Sequence, residues 1–415
     1  MCRLNLIAAA ICLALGLSGP ALADSNTGTI NQTGIGNNAS IDQTVNVAGA
    51  TSTINQNGNG NSATSAQSNN IFGSPYWVTS YVDQGGNSNT ANVTQDLAWY
   101  SSATVQQYGD GNSAGISQTY YVGQSSAWVY QGGNGNTGTV TQSDVYNTTG
   151  YVWQYGGASG NSASVTQHDE SSSYALVNQF GGGTTGSTGT IDQSAYSSTA
   201  TIEQFNAGYA YANINQTGSY NTALIHQSDT YGSGVNGYIT QSGDNNSANI
   251  TQNSSVYAGD WGDSATINQY GSLNRATITE SYVFFSNASI GQWYGSGNEA
   301  TIFQGNMTAG NANINQGGDG NKGTIKQGYE GSSCCGYGLT ANLSQYGNGN
   351  TAEIDQTGWY QDATIWQNGN LNLANITQTG FGSTYNHATI NQTGNSHIAT
   401  IAQNGSGNNA TINQH

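Results

Sequence analysis

The sequence predicts an all-β fold, a two-sheet β-solenoid with amyloid-like cross-β stacking, and three observations lead to it. A short motif ending in glutamine recurs along almost the entire chain, most often about 11 residues apart. Charged residues make up only 6% of the chain, and 59 of its 415 residues are glycine but only 2 are proline. Aliphatic residues are regularly spaced. A repeat of about 22–26 residues with two similar halves is typical of a solenoid.

Each half-repeat fits one strand followed by a tight turn. In the segment 38–43 side chains alternate between two faces, as they do along any strand. Ala39, Ile41 and Gln43 share one face, and Ser40 and Asp42 lie on the other. We therefore predict an inward face of small, aliphatic and amide side chains, and an outward face of threonine, asparagine and serine. Two strands and two turns close one flattened coil, and the chain holds about sixteen coils.

The turns combine glycine and asparagine, the residue types that best tolerate a positive φ. Gly34, Ile35, Gly36 and Asn37 form the first of them. The best-preserved turn residues are Gly34, Gly36, Asn37, Gly58, Gly60, Asn61, Gly347, Gly349 and Asn350. Up to Gln179 the glycine turns follow every second glutamine, and after Gln216 they follow the other set. We therefore predict that the glycine turns change edge near 193–216.

A glutamine buried between stacked strands must satisfy its amide. Stacked coils achieve this with a ladder in which each amide bonds the equivalent residue above and below, as in cross-β stacks. The clearest predicted ladder residues are Gln32, Gln43, Gln56, Gln67, Gln84, Gln95, Gln107, Gln118, Gln131, Gln142, Gln345, Gln356, Gln367, Gln378, Gln392, Gln403 and Gln414. One slot holds Glu280, with Gln252 and Gln304 as its predicted neighbours. A carboxylate cannot donate, so we predict a ladder defect there, relieved by local solvent entry.

The first 23 residues read as a secretory signal peptide, which divides the chain into 1–23 and a repeat solenoid over 24–415. Arg3 precedes an apolar run from about Leu4 to Leu17, and Ala21-Leu22-Ala23 supplies a small-residue cleavage site. No later run is long and apolar enough to span a membrane. Cleavage leaves 21 acidic residues against three basic ones, a formal charge of about −18. Such a charge disfavours nucleic acid and anionic membranes as partners.

No catalytic or cofactor site emerges from the sequence. No nucleophile, base and orienting group form a set, so we predict that the protein is not an enzyme and needs no cofactor. The five histidines lie far apart without cysteine or carboxylate partners, which disfavours a metal site. Cys334 and Cys335 are adjacent, which strains an intrachain disulfide. An idle thiol pair and an interchain bridge both remain open, with the idle pair favoured.

The motif Gln-x-Gly-x-Gly-Asn-x-Ala-x-x-x-Gln resembles the curlin repeat of the bacterial curli subunits. Nearly complete copies stand at 32–43, 56–67, 107–118, 345–356 and 403–414, and degraded copies cover the rest of 24–415. The resemblance implies an extracellular amyloid fibre subunit of a Gram-negative-type bacterium, used for adhesion and biofilm matrix. It also implies export through an outer-membrane secretion pore and assembly with other curlin subunits or a nucleator. Typical curlins resemble a stack of only five such coils, whereas this chain has about sixteen.

Aromatic residues cluster in the segment 72–155. They either fill and cap a wider edge of the coil or form a stacking surface for a glycan or host ligand. The residues are Tyr76, Trp77, Tyr81, Trp99, Tyr100, Tyr120, Tyr121, Trp128, Tyr130, Tyr146, Tyr151, Trp153 and Tyr155. Two other functions stay open. One is a monomeric surface adhesin, and the other is an ice-binding protein using outward threonine pairs such as Thr139 and Thr141.

Overall fold

The computed structural model describes residues 26–44, 49–68, 77–230, 234–253, 262–328 and 336–415. These residues form 31 strands and no helix. None of them therefore provides a helix that could cross a membrane. The strands are β1 Thr27–Thr33, β2 Asn38–Thr44, β3 Ala50–Asn57, β4 Ser62–Ser68, β5 Val78–Gly85, β6 Thr90–Trp99, β7 Ser102–Tyr108, β8 Ser113–Gly123, β9 Ser126–Gly132, β10 Thr137–Tyr146, β11 Thr149–Tyr155, β12 Ser162–Ser171, β13 Tyr174–Phe180, β14 Thr188–Tyr196, β15 Thr199–Phe205, β16 Tyr211–Ser219, β17 Thr222–Ser228, β18 Asn236–Ser242, β19 Ser247–Asn253, β20 Ser264–Ser272, β21 Arg275–Phe284, β22 Asn287–Ser296, β23 Glu299–Thr308, β24 Asn311–Gly317, β25 Lys322–Gly328, β26 Gly336–Tyr346, β27 Thr351–Asn368, β28 Leu373–Gly380, β29 Asn386–Thr393, β30 Ile398–Asn404 and β31 Asn409–Gln414.

The strands form a parallel β-solenoid, which confirms the predicted fold class. Each strand pairs with the strand two places along the chain, so the odd-numbered strands β1 to β25 form stack A and the even-numbered strands β2 to β26 form stack B. The long strand β27 runs through both stacks, since its first part pairs with β25 and its second with β26. Stack A then continues through β28 and β30, and stack B through β29 and β31. Contacts of this kind join the two predicted sheets into one 31-stranded network.

The core lies between the two stacks and follows the predicted phase. Inward alanine and isoleucine or valine positions, such as Ala63, Ile54 and Val82, are almost fully buried. The outward residues between them remain half-exposed. A second apolar column fills the wide corner that leads from stack B back to stack A. It consists of Val78, Ala98, Val122 and Val145.

The glycine turns change edge as predicted. Positive-φ glycines stack at the turn after stack A from Gly34 to Gly133, and a second column stacks at the turn after stack B from Gly218 to Gly394. The prediction was incomplete at the end of the chain. There Gly358, Gly380 and Gly405 form a third column, again after stack A. Both edges of the last coils therefore carry glycine turns.

Candidate functional site

The inward glutamines form two ladders of amide hydrogen bonds, one in each stack, and the stack A ladder is interrupted between Glu280 and Gln304. In each, Nε2 donates to Oε1 of the equivalent glutamine one coil further along the chain. The stack A ladder contains Gln32, Gln56, Gln84, Gln107 and Gln131, and later Gln356, Gln378 and Gln403; these bonds measure 2.7–2.9 Å. The stack B ladder contains Gln43, Gln67, Gln95, Gln118 and Gln142, and later Gln345, Gln367, Gln392 and Gln414, over the same range. The donor direction is the same throughout.

Each ladder amide also ties the two stacks together. The Nε2 atom of Gln107 donates to Gln131 at 2.8 Å and to the backbone carbonyl of Thr90 at 3.0 Å. Thr90 starts a strand of stack B, so this second bond crosses the core. An amide offers two N–H donors, and both are used here. Gln107 is therefore a fully buried polar group whose hydrogen bonds are satisfied, and the ladder glutamines between the end coils are buried in the same way.

The turn asparagines form a further ladder that the sequence did not reveal. In these turns only the glycines adopt positive φ, and the predicted turn residues Asn37, Asn61 and Asn350 do not. Instead the Oδ1 atom of Asn61 accepts the backbone N–H of Asn89 at 3.0 Å, and its Nδ2 donates to the Gly86 carbonyl at 2.9 Å. The strictly repeated Gly-Asn spacing was the available signal. It marks a buried amide that closes the corner.

The glycines of these turns meet two requirements. The predicted residues Gly34, Gly36, Gly58, Gly60, Gly347 and Gly349 all have φ between 65° and 122°. The first glycine of each turn also contacts the next coil. A Cβ added to Gly109 would lie 2.0 Å from the carbonyl oxygen of Gly133, whereas one added to Gly111 would meet nothing within 4 Å. Close backbone stacking therefore demands glycine at the first position.

One inward position departs from the apolar pattern. Ser65 occupies the slot that isoleucine or valine fills in neighbouring coils, with Ile41 below it and Val93 above it. Its hydroxyl bonds the hydroxyls of Ser52 and Ser80 across the core, at 2.8 and 2.9 Å. All three side chains are buried. The serines thus replace apolar packing with a small hydrogen-bonded cluster, because a buried hydroxyl needs a partner.

Glu280 occupies a ladder position between Gln252 and Gln304, the register we predicted. Its Oε2 accepts the Gln252 amide at 2.7 Å. The expected solvent entry is absent, since the side chain is only 1% exposed. Burial raises the pKa of Glu280 to about 8; the Gln252 hydrogen bond opposes this shift, and the charge of Asp263 adds to it.

The charged residues on the outer face pair between coils. Lys322 contacts Glu299 at 3.1 Å and Lys326 contacts Glu353 at 2.8 Å. The expectation that the histidines lack carboxylate partners was wrong, since stacking brings outward histidines beside carboxylates on adjacent coils. The pairs are His168–Asp192 at 3.3 Å, His226–Glu203 at 3.1 Å and His387–Asp362 at 3.2 Å. No group of three potential metal ligands occurs within the described ranges.

The aromatic residues lie outside the coil. Trp128 packs edge to face against Tyr151 and Trp153 on the next coil, with ring centres 6.1 and 6.2 Å apart. Tyr100, Tyr120, Tyr121 and Tyr146 are exposed at the wide corner. The aliphatic column from Val78 to Val145, and not the aromatic rings, fills this edge, while the capping and ligand-stacking roles of the aromatic residues stay predictions. Tyr76, Cys334 and Cys335 lie outside the described residues.

The outward threonines do not form a uniform ladder. The column that begins with Thr29 and Thr53 continues with Tyr81. The column through Thr141 and Thr166 continues with Asp192. A flat, regular array of threonines is therefore missing at these positions. This mixed surface gives the ice-binding alternative no support.

Both ends of the solenoid expose strands that have one neighbour each among the described strands. These are β1 and β2 at the first coil and β30 and β31 at the last. At the first coil Gln32 and Gln43 donate to Gln56 and Gln67, and no earlier described coil supplies a ladder donor for their Oε1 atoms. At the last coil the Nε2 atoms of Gln403 and Gln414 each donate to a backbone carbonyl, at 2.8 and 3.0 Å. One N–H of each amide remains, so one end offers acceptors and the other offers donors.

Comparison with known proteins gives one result. A family model for the curlin associated repeat matches residues 347–380 and 386–415. The matched residues cover most of β27 to β31, in which the amide ladders and glycine turns have the same geometry as in earlier coils. No curated protein matches the chain.

Proposed function

This chain is a long curlin-like repeat protein, and from that premise we propose that it is a structural subunit of an extracellular curli-like amyloid fibre. The observation that carries the proposal is the complementarity of its two ends. At each end the last described strands have a parallel edge without a partner among the described strands, and such edges favour pairing with another chain. The last coil has two ladder donors, one in each stack, and the first coil has two ladder acceptors, one in each stack.

Head-to-tail joining would continue both ladders from one copy to the next. Gln403 would donate to Gln32 of the next copy, and Gln414 to Gln43. Sixteen coils at about 4.8 Å each give a protomer about 75 Å long, and the fibre would show cross-β spacing along its axis. The amide hydrogen bonds that join successive coils within the chain would thus also join successive copies.

The cellular role follows as part of the same proposal. Export would depend on the expected signal segment 1–23, which lies outside the described residues, and on an outer-membrane secretion pore. At the surface of a Gram-negative-type bacterium the fibre would serve adhesion and biofilm matrix, with other curlin subunits or a nucleator as partners. The exposed tyrosines of the wide corner are the candidate surface for a glycan or host ligand.

The test uses the chain from Asp24 to His415, thioflavin fluorescence, fibre diffraction and electron microscopy. We expect fibres with a meridional spacing of about 4.8 Å. Ile30→Lys places a charge on the inward face of the first coil, where Ile30 stacks on Ile54, and should block growth. Asn31→Lys places the same charge on the outward face and should leave growth intact. Chains that stay monomeric for days at tens of micromolar would instead favour a monomeric adhesin.

A further inference from the structure

The stack A ladder is interrupted at one level. Gln227 donates to Gln252 at 2.9 Å, and Gln252 donates to Glu280 at 2.7 Å. The ladder resumes where Gln304 donates to Gln327 at 2.9 Å. Between Glu280 and Gln304 there is no bond. The Oε1 atoms of both side chains are buried and lack a hydrogen-bond partner.

The interruption places two acceptors next to each other and no donor between them. Rotating the Gln304 amide does not solve this, because its Nε2 is held by Gln327 Oε1 and by the Asn287 carbonyl at 3.4 Å. A carboxylate at residue 280 has only acceptors to offer. A carboxylic acid has the same shape and adds one O–H donor. A single proton on Glu280 Oε1 is therefore what the ladder lacks.

Among the described residues, no cation lies beside Glu280 to hold it ionised. Stack B faces it with Ala265, Ile267 and Gln269 on β20 and Ala288, Ile290 and Gln292 on β22, all buried and uncharged. Asp263, at the corner before β20, is buried and accepts the Ser286 N–H at 2.8 Å. On the outer face, Arg275 is exposed at the start of β21 and is aligned with Glu299. Lys322 on β25 is paired with Glu299.

We propose that Glu280 is built into the ladder as a neutral acid, with its O–H on Oε1 donating to Gln304 Oε1, and that loss of this proton opens the solenoid between β21 and β23. The strand pair then holds two facing acceptors and a buried charge without a counterion, which is costly in a protein interior. This protonation of Glu280 acts within one chain. It goes beyond the fibre proposal and does not depend on it.

The direction of the pH effect follows from the folded-state pKa of about 8, which lies above the ordinary value of 4.5. A group that binds its proton more tightly when folded stabilises the fold fully below its unfolded pKa. That contribution is lost as pH rises from about 4.5 to about 8. Removing the titrating group by Glu280→Gln, which donates at every pH, should therefore remove this part of the pH dependence.

Two measurements on the chain 24–415 test the proposal. Infrared difference spectra between wild type and Glu280→Gln at pH 6 should contain the carbonyl band of a protonated carboxylic acid. Denaturant midpoints of the two proteins should agree at pH 5 and diverge by pH 9, where wild type becomes the weaker. Glu353→Gln, which removes an exposed carboxylate paired with Lys326, should keep the wild-type pH dependence.

A converse variant checks the same geometry elsewhere. Gln131→Glu puts a carboxyl group between Gln107 and Gln154 in an uninterrupted part of the ladder. The denaturant midpoint of this variant should fall more steeply than that of wild type between pH 5 and pH 9. A protonated-acid band that is absent at pH 6, or equal midpoint shifts for wild type and Glu280→Gln between pH 5 and pH 9, would overturn the proposal. Neither result bears on fibre formation, which is measured separately.

Discussion

An inward glutamine has three hydrogen-bonding groups, and an uninterrupted ladder uses all of them. In Gln107 the oxygen accepts from Gln84 at 2.8 Å, one N–H donates to Gln131, and the other crosses the core to a backbone carbonyl. An aliphatic side chain of similar size would leave that carbonyl unsatisfied. A carboxylate would lose both donors. The requirement for glutamine is therefore set by hydrogen-bond counting as well as by packing.

Glu170 shows what happens where a carboxyl group replaces an apolar residue without a ladder. It continues the corner column above Val145 and is only 6% exposed. Both of its oxygens are buried without a hydrogen bond of ordinary geometry. Burial raises the pKa of Glu170 to about 9, partly offset by the nearby Ala195 backbone and Ser173 side chain, while the charge of Asp192 adds to the rise.

We predict that Glu170→Val raises the stability of the protein, and more so at high pH. The folded-state pKa lies above the ordinary value, so wild type is stabilised below about pH 4.5 and loses that contribution as pH rises to about 9. Valine continues the aliphatic column and cannot ionise. The expected gain at pH 8 is on the order of 2–4 kcal/mol, measured by denaturant unfolding. Asp169→Asn, at the exposed neighbouring carboxylate, should change stability little; a comparable gain there would contradict the explanation.

The sequence could predict which residues point into the core. Side chains alternate along a strand, so placing the glutamine on the inward face also places its neighbours. Ala39, Ile41 and Gln43 illustrate this, since their alternation alone separates the two faces. The Ser65 cluster could not be predicted in this way. Its partners, Ser52 and Ser80, lie on the opposite stack, and a single strand pattern carries no information about what faces it across the core.

At the scale of the turn, the two glycines of Gly-x-Gly-Asn have different roles. Gly109 has φ of 122° and lies against the Gly133 carbonyl of the next coil, whereas Gly111 has φ of 67° and points into open space. We predict that Gly109→Ala costs on the order of 3 kcal/mol, through strain and displacement of the next turn. Gly111→Ala should cost about 1 kcal/mol, the penalty for a side chain in the left-handed region. Equal losses in thermal or denaturant unfolding would contradict the close-approach explanation.

The corners were harder to predict than the strands. Gly-Asn spacing indicates a turn, but a turn asparagine that adopts positive φ and one that bonds the next coil look alike in sequence. The structure distinguishes them, because Asn112 donates its Nδ2 to the Gly133 carbonyl at 2.8 Å and accepts the Asn136 N–H at 3.0 Å. The aromatic residues were ambiguous for a similar reason. Tyr120 and Tyr121 lie near the end of β8 and have positive φ, and alternation no longer applies where the backbone turns there.

At the scale of the whole molecule, the solenoid is a one-dimensional array. Among the described strands, those of one coil pair only with strands of the coils before and after it. Stability in such an array is roughly the sum of single-coil and nearest-neighbour contributions. Along the stack, each corner must lie above a corner of the same type. The glycine turns, the asparagine ladder and the aliphatic corner column each continue only when equivalent corners lie above one another.

This leads to a prediction about deletions. Removing residues 108–131 deletes β8 and β9, one full coil, and joins Gln107 to the Gly132-Gly133 turn, so Gly133 can stack on Gly86 as Gly109 does in the intact chain. Removing 108–118 deletes half a coil, namely the end of β7, the glycine turn after it and the first six residues of β8, and joins Gln107 to Thr119. Every later strand then changes stack, and the wide corner at Tyr120 and Tyr121 falls on the glycine turn of Gly86.

We expect the full-coil deletion to fold, to form fibres and to keep a denaturant midpoint close to that of the intact chain, because the coils on either side of the gap present matching corners. The half-coil deletion keeps every glutamine inward, yet it mismatches two corner columns at once, so it should have a lower midpoint and assemble more slowly. Circular dichroism, denaturant unfolding and thioflavin kinetics compare the two. If both deletions behave alike, the corners do not set the register, and the glutamine ladders alone hold the stack in place.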